Sequence, residues 1–219
     1  MYRRTLLLGA AAGVFCPVGL TAAAADGTAS RVFRILRGGK DIGRHMLTAR
    51  RTADTLEITI EIAIRVRFLG ITAYRYEMTN REVWQDGALL TLDSETNDDG
   101  TDDRLTIRRE GDALAVDGLR YSGRQPLQAV TTTYYAPAFL ERRPWLSSQS
   151  GEPLQVSSAP IAGEPGAVQL SGEIDSVLIY DDRGEWVGCR FDASGELATY
   201  EVIEETGAIA AMWRAEAQA

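Results

Sequence analysis

A strict two-residue alternation between Leu56 and Phe68 is the feature that most constrains the fold. Apolar side chains occupy every even position of this segment, and charged or hydroxyl side chains occupy all but one of the odd positions. Successive side chains of a β-strand point to opposite faces, so the pattern predicts a strand with one face in a core and one in water. At roughly 3.3 Å per residue, this strand would be more than about 40 Å long. We expect such a strand to bend around a barrel or a curved sheet.

Turn signals divide most of the chain into short alternating segments. Asp-Gly and Gly-Gly pairs favour the tight turns of two-residue hairpins, and tight turns join antiparallel neighbours. The sequence therefore predicts an all-β fold, a curved antiparallel meander that forms an open or closed β-barrel (half-barrel), with one short helix in the central connection. The predicted turns of the first half are Gly38-Gly39, Asp86-Gly87, Asp99-Gly100, Gly111-Asp112 and Asp117-Gly118.

The central connection, residues 128–153, is the exception to this pattern. It has no alternation after Tyr135, and Pro137 and Pro144 favour the start and the end of a short helix over residues 137–143. Its aromatic content is high. A long connection that is not a hairpin often crosses an opening or carries function. We favour a helix that plugs one end of the barrel.

The first 25 residues have the layout of a cleaved export signal. Arg3 and Arg4 precede an apolar run, and Ala23 and Ala25 form a small-x-small cleavage site. We expect a periplasmic protein, exported by the Sec or the twin-arginine route, with no transmembrane segment after signal removal. Residues 26–206 are predicted to form a single antiparallel β domain. The Ala-rich C-terminal tail, residues 207–219, is predicted to be a loose helix or disordered.

Composition excludes several classes of function. The chain has 23 Lys and Arg against 31 Asp and Glu, and an acidic surface repels nucleic acid. Only Cys189 follows the signal, so we expect no internal disulfide and a buried thiol that packs like a small apolar side chain. His45 is the only histidine, and we predict a structural or solvent-facing role for it. No cofactor is expected.

The inward-facing positions after residue 73 change from apolar to polar. Asn80 and Glu82 lie at core-phase positions, where a polar group needs a partner or water. Burial would raise the pKa of Glu82 and suit it to acid or base chemistry, but we favour a structural ion pair with an inward arginine. The aromatic residues of the same face and of the central connection complete a hypothetical ligand-binding set. Its members are Tyr74, Tyr76, Met78, Asn80, Glu82, Trp84, Tyr134, Tyr135, Phe139 and Trp145.

The most acidic stretch, SETNDDGTDD at residues 94–103, raises the question of a metal site. Aligned with an EF-hand loop, it places Thr106 where a bidentate carboxylate is required. The flanking alternation and the Asp-Gly pair favour a hairpin turn instead. A calcium site made by Asn97, Asp99 and Asp102 is the weaker alternative.

Four short motifs occur along the chain in an order that resembles one known family. They are IGRH at 42–45, EVWQDG at 82–87, LDSETNDDG at 92–100 and YDDRGEW at 180–186. Together they resemble the Gram-negative domain-of-unknown-function family 6134 and, more loosely, the exported family 3108. The resemblance implies a curved antiparallel sheet or open barrel in the periplasm, similar to carriers of lipids and lipoproteins. It supplies no established activity.

Three functions are compatible with the sequence. The first is a non-enzymatic periplasmic binding or carrier module for a hydrophobic or amphiphilic small molecule. The alternative is a cell-envelope assembly or structural protein with a protein partner. The third and least favoured is a hydrolase that uses Glu82 together with a second carboxylate.

Overall fold

The computed structural model describes residues 27–52 and 54–217, so the predicted export signal lies outside the described residues. The first half contains the strands β1 (Gly27–Arg37), β2 (Lys40–Arg51), β3 (Leu56–Phe68), β4 (Ile71–Gln85), β5 (Ala88–Asp98), β6 (Thr101–Glu110), β7 (Ala113–Gly118) and β8 (Ser122–Pro126). The remainder contains β9 (Val130–Thr131), a 3₁₀ helix (Pro137–Glu141), β10 (Trp145–Leu146), β11 (Pro153–Leu154), β12 (Val156–Pro160), β13 (Ala167–Gly172), β14 (Ser176–Tyr180), β15 (Trp186–Asp192), β16 (Leu197–Thr206) and the helix α1 (Ile209–Glu216).

One large antiparallel sheet dominates the described residues. Its thirteen strands follow the order β12 to β16 and then β1 to β8 across the described part of the chain, and β8 and β12 are its two edges. Neighbours in the sheet are neighbours in sequence except at the β16–β1 pair, which joins the two halves. The prediction of an all-β antiparallel meander is therefore confirmed, and the sheet is open rather than closed.

The alternation that predicted β3 sets which of its side chains are buried. Leu56, Ile58 and Ile60 are at most 2% exposed, whereas Glu57 and Thr59 face outward on the same strand. Exposure increases from Ile62 toward the β3–β4 turn. The part of the β3–β4 hairpin next to its turn therefore extends beyond the core. The two strands are long because they include this projecting part.

Three of the predicted hairpin turns have the expected backbone conformation. Positive φ at both positions, as a type I′ turn requires, is found at Gly38-Gly39, Asp86-Gly87 and Asp99-Gly100. The prediction at Asp117-Gly118 is wrong, because both residues belong to β7 and the chain turns only after them. A Cβ at Gly118 would lie 3.0 Å from the Ser150 carbonyl oxygen. This glycine therefore allows the central connection to approach the sheet, and it does not form a turn.

The central connection contributes its own small sheet and much of the core. The strands β9, β10 and β11 form a three-stranded sheet in which β9 and β10 are parallel, a pairing that the sequence pattern did not predict. The predicted short helix is present as the 3₁₀ helix and ends at Glu141, slightly earlier than expected. Phe139 on this helix and Trp145 on β10 are 0% exposed. Much of the interior is thus filled by this connection.

The C-terminal segment differs from the expected loose helix or disordered tail. Residues 209–216 form α1, whose Trp213 side chain is 2% exposed. Glu216 of α1 forms a buried ion pair with Arg51, with 2.6 Å between Oε2 and Nη1. At the other end of the helix, the Ala210 amide donates a 2.9 Å hydrogen bond to Glu185 Oε1. The C-terminal end of α1 is therefore fixed to β2, and its N-terminal end is fixed to the connection between β14 and β15.

We predict that Trp213→Ala lowers the free energy of unfolding by about 3–5 kcal/mol, because it removes a large buried aromatic side chain from the core. Arg214→Ala, on the exposed side of the same helix, should change it by less than about 0.5 kcal/mol. Chemical denaturation measures both values. Equal effects of the two substitutions would show that α1 does not contribute to the core in solution.

Candidate ligand-binding site

The strand register aligns inward-facing side chains in rows across the sheet. Polar side chains recur within these rows, next to apolar neighbours. One row reads Phe33, His45, Ile62, Met78, Thr96 and Asp103. The next row reads Arg31, Leu47, Ile60, Asn80, Ser94 and Leu105, and a third reads Ala29, Ala49, Ile58, Glu82, Leu92 and Ile107.

One end of the interior is closed by packed aromatic rings. The Trp84 ring lies 5.3 Å from Phe139 and 5.0 Å from Trp213, and Tyr135 lies 5.0 Å from Phe139. These distances are typical of edge-to-face and tilted aromatic pairs. Trp84, Tyr135 and Phe139, which the sequence suggested as ligand-binding residues, therefore form the hydrophobic core at this end.

A pocket of about 330 Å³ lies farther along the inner face. Among the predicted residues, Tyr76, Met78 and Tyr134 line it. The lining residues that sequence reasoning missed include four with aromatic rings, His45, Trp186, Tyr200 and Phe191. The strand phase of His45, which it shares with Leu47 and Ala49, was a signal for its inward position. Trp186 had no comparable signal, because it lies in the opposite alternation phase to Cys189 and Phe191 and the register between β14 and β15 shifts beside it.

His45 is buried among aromatic rings at this pocket. It is 4% exposed, and its ring lies 5.2 Å from Trp186 and 5.7 Å from both Phe33 and Tyr200. Burial lowers the pKa of His45 to about 3, so the imidazole is neutral at physiological pH. Neither of its ring nitrogens has a hydrogen-bond partner within residues 27–52 and 54–217. The solvent-facing alternative predicted for this residue is therefore wrong, because the imidazole is buried.

The two tyrosines of β4 have different surroundings. The Tyr74 hydroxyl donates a 2.8 Å hydrogen bond to Asp98 Oδ1 near the exposed end of the sheet. The Tyr76 hydroxyl contacts the Met78 sulfur at 3.4 Å, and burial raises the pKa of Tyr76 to about 12. Tyr76 therefore presents a neutral hydroxyl at the pocket, whereas Tyr74 pairs with a carboxylate outside the pocket lining.

Glu82 is the most deeply buried carboxyl group of the candidate set. It is 0% exposed and accepts a 2.9 Å hydrogen bond from Trp84 Nε1. Burial raises its pKa to about 7, while that indole and the nearby hydroxyls of Thr131, Thr133 and Tyr135 act in the opposite direction. The expected ion pair with an inward arginine is wrong, since no described arginine is within ion-pair distance of Glu82.

Asn80 lies beside Glu82 on β4 and is 1% exposed. Neither atom of its side-chain amide has a hydrogen-bond partner in the part of the chain that the structure describes, and the same holds for Glu82 Oε1. Such groups normally bind water or a polar ligand group. The middle of the inner face is therefore a polar layer between the aromatic end and the pocket.

The acidic stretch forms the β5–β6 hairpin, as the preferred interpretation predicted. Asn97 Nδ2 donates to Asp102 Oδ1, and the Gly100 amide donates to Asn97 Oδ1 at 3.1 Å. These contacts stabilise the turn at Asp99-Gly100. Over the described ranges, no group of three His, Cys, Asp or Glu side chains is placed to hold a metal ion.

A larger depression of about 830 Å³ lies elsewhere on the sheet. Most of its lining residues occupy outward-facing register positions, and many are charged, including Glu61, Glu77, Glu95 and Arg104. It is open to solvent. The smaller inner pocket is the better candidate site, because enclosed apolar walls with a few polar groups are typical of small-molecule sites.

The fold and the inner pocket together define an all-β protein with a β-barrel-like antiparallel sheet. Its family model is the domain of unknown function DUF6134, which matches residues 33–203, and the chain belongs to this family. The family resemblance seen in the motifs is thereby confirmed, whereas the looser relation to family 3108 stays a prediction. No curated protein matches the chain.

A solved structure shares the architecture. It is the crystal structure of a β-barrel-like protein of domain of unknown function DUF1849 from Brucella abortus. The TM-score is 0.56 at 8% sequence identity, and the match covers 81% of this chain and 96% of that chain. This similarity shows the fold alone. In the described part of the chain, neither helical segment has the length and apolar character to cross a membrane.

We predict that Glu82→Gln stabilises the protein increasingly as the pH rises from 4.5 to 7. In the unfolded chain Glu82 ionises near pH 4.5, whereas in the folded protein it stays protonated until about pH 7, so the wild type loses stability across this window. The shift from 4.5 to about 7 corresponds to a difference on the order of 3 kcal/mol. Chemical denaturation of both proteins at several pH values measures it.

The matched control is Glu61→Gln on the exposed face of β3. Its side chain is exposed, and surface substitutions of this kind usually change the free energy of unfolding by less than about 0.5 kcal/mol. If the difference in the free energy of unfolding between Glu82→Gln and the wild type did not change with pH, this result would contradict the burial of a neutral carboxyl group at this position.

Proposed function

We propose that the protein is an exported periplasmic binding or carrier module for a hydrophobic or amphiphilic ligand. The observation that carries this proposal is the inner pocket of about 330 Å³ within an otherwise packed interior. Its walls include Ile60, Ile62, Met78 and Leu178, together with aromatic rings. The volume is about twice the roughly 150 Å³ that accommodates benzene. It therefore suits a ligand of about a dozen non-hydrogen atoms.

The surroundings of the pocket support a preformed site. Phe33, Trp186 and Tyr200 pack against one another with ring centroids 4.5–6.0 Å apart. The Tyr180 hydroxyl donates a 2.8 Å hydrogen bond to the Tyr134 carbonyl, which attaches the central connection to β14. A ligand that enters a preformed pocket loses little affinity to ordering of the protein. The basic and apolar composition of residues 1–25 supports the export part of the proposal.

We predict that protein purified from the periplasm carries a bound small molecule, visible by native mass spectrometry, and that added amphiphiles raise its melting temperature. Ile62→Phe should reduce both effects, because the larger ring occupies space at the pocket wall. Ile64→Phe is the matched control, since residue 64 is the next inward position on β3 and does not line the pocket. Repeated isolation of empty protein, with no ligand-induced thermal shift, would count against a carrier.

A second candidate is an envelope assembly or structural protein with a protein partner. It is favoured by apolar side chains at the tip of the β3–β4 hairpin, where Leu69 is 87% and Ile71 is 73% exposed. Exposed apolar residues at a projecting tip often mark an interaction site. The edge strands β8 and β12 also offer backbone groups for strand addition.

We predict for this candidate that a photo-cross-linker at position 71 traps one dominant protein in cells. With the cross-linker kept at position 71, Leu69→Ser should strongly reduce the cross-link to that protein, because it removes the neighbouring exposed apolar side chain. A cross-linker at position 111, on the β6–β7 turn, serves as the control. A diffuse pattern from position 71, no different from position 111, argues for a chain without a partner at this tip.

The hydrolase candidate stays a prediction without a specific supporting observation. Glu82 is enclosed by an indole and hydroxyl groups, and the causes of its pKa shift include no second carboxylate among the described residues. Retained function in cells of the Glu82→Gln variant would argue against this candidate.

A further inference from the structure

The lining of the inner pocket is almost free of formal charge. Asp175 is its one formally charged residue in the described chain, and it lies exposed at the rim. His45 is neutral because burial lowers its pKa, and burial raises the pKa of both Cys189 and Tyr76 to about 12. The deep walls are therefore uncharged at physiological pH.

The nearest buried cation is already neutralised. Arg31 donates to the carbonyl oxygen of Trp186 at 2.8 Å, so it lies directly behind the pocket wall. Its guanidinium group also pairs with Glu185 at 3.2 Å and with Glu205 at 3.0 Å. A carboxylate or phosphate inside the pocket would lose water without gaining a counter-charge, which is unfavourable.

The same walls carry polar atoms that require a hydrogen-bond partner. Trp186 is 1% exposed, and its Nε1–H finds no acceptor among residues 27–52 and 54–217. The His45 ring centroid lies 5.2 Å from that of Trp186, and within the same described residues neither ring nitrogen of His45 has a hydrogen-bond partner. A neutral imidazole offers one donor and one acceptor, and an indole offers one donor. A buried polar atom without a partner is destabilising, so a ligand that satisfies these atoms gains affinity.

Building on the proposed carrier function, we propose that the pocket selects an uncharged lipophile with a hydroxyl or carbonyl oxygen, which accepts hydrogen bonds from Trp186 and His45. The apolar walls of β3 and β14 contact the hydrocarbon part of this ligand. Ionised fatty acids and alkylammonium ions are excluded because the deep walls provide no opposite charge. The pair His45 and Trp186 acts as the specificity determinant.

Four probes of equal chain length test the proposal: decanol, decane, decanoate and decylamine. Isothermal titration of the full-length mature protein at pH 7.5 measures their affinities. We expect decanol to bind on the order of tenfold more tightly than decane, as one or two net hydrogen bonds provide. Decanoate and decylamine, ionised at this pH, should bind more weakly than decanol.

The second part of the experiment substitutes His45, one of the two residues of the specificity determinant. His45→Phe keeps an aromatic ring but removes both nitrogens, so the affinity for decanol should fall toward that for decane, with decane binding retained. Its melting temperature without ligand should equal or exceed that of the wild type, because a buried polar group without a partner is replaced by an apolar one. Met46→Leu, at the adjacent outward position of β2, should leave all affinities unchanged.

The outcomes separate this proposal from the carrier function. Equal binding of decanol and decane, or preferred binding of decanoate or decylamine, overturns the selection of a neutral oxygen-bearing ligand while the carrier function stands. Absence of binding by every probe, together with empty protein in native mass spectrometry, overturns both.

Discussion

The contact between Trp84, Phe139 and Trp213 is the interaction on which the rest of the structure depends. These three rings come from β4, the central connection and α1, and their centroids lie 5.0–5.3 Å apart. An open sheet leaves the inner face of its long strands without cover. The three rings supply that cover at one end and fix the connection inside the curve of the sheet. Because this end is filled, the remaining inner volume is confined to the other side of the polar layer.

Burial acts in opposite directions on His45 and Glu82, two of the inward ionisable groups. It lowers the pKa of His45 and raises that of Glu82, so that the imidazole is neutral and the carboxyl group is largely protonated below pH 7. Both groups thereby serve as hydrogen-bonding rather than charged groups. The interior combines aromatic packing with polarity, yet it has little net charge. This combination distinguishes the inner pocket from the charged depression on the outer surface.

Local sequence information was sufficient for most of the sheet. Alternation and Asp-Gly turns predicted β3, β4 and the β5–β6 hairpin, because strand phase and tight turns depend on neighbouring residues. The rule that an Asp-Gly pair forms a hairpin turn failed at Gly118, because the role of this glycine is set by its contact with the distant Ser150. For the C-terminal tail, a helix was one of the two predicted alternatives, but the burial of Ile209 and Trp213 against the core was not predicted.

The composition of the pocket required tertiary information. His45 and Trp186 are separated by more than half of the chain, and they meet only because β1 pairs with both β2 and β16. Several aromatic residues predicted as ligand contacts became core instead, since an aromatic side chain at an inward position has the same sequence signal in both roles. Sequence therefore identified the inward face but not the division of that face into core and cavity.

The pairing of β1 with β16 has a consequence for the order of folding. The hydroxyl oxygens of Ser30 and Thr206 are 2.9 Å apart although 176 positions separate the two residues. The first described strand thus lies in the interior of the strand order, with the last strand as one of its neighbours. A contact of such long range is costly in chain entropy and forms late. The sheet remains in two halves until the C-terminal strands are available, so a nascent chain that lacks them cannot complete this domain.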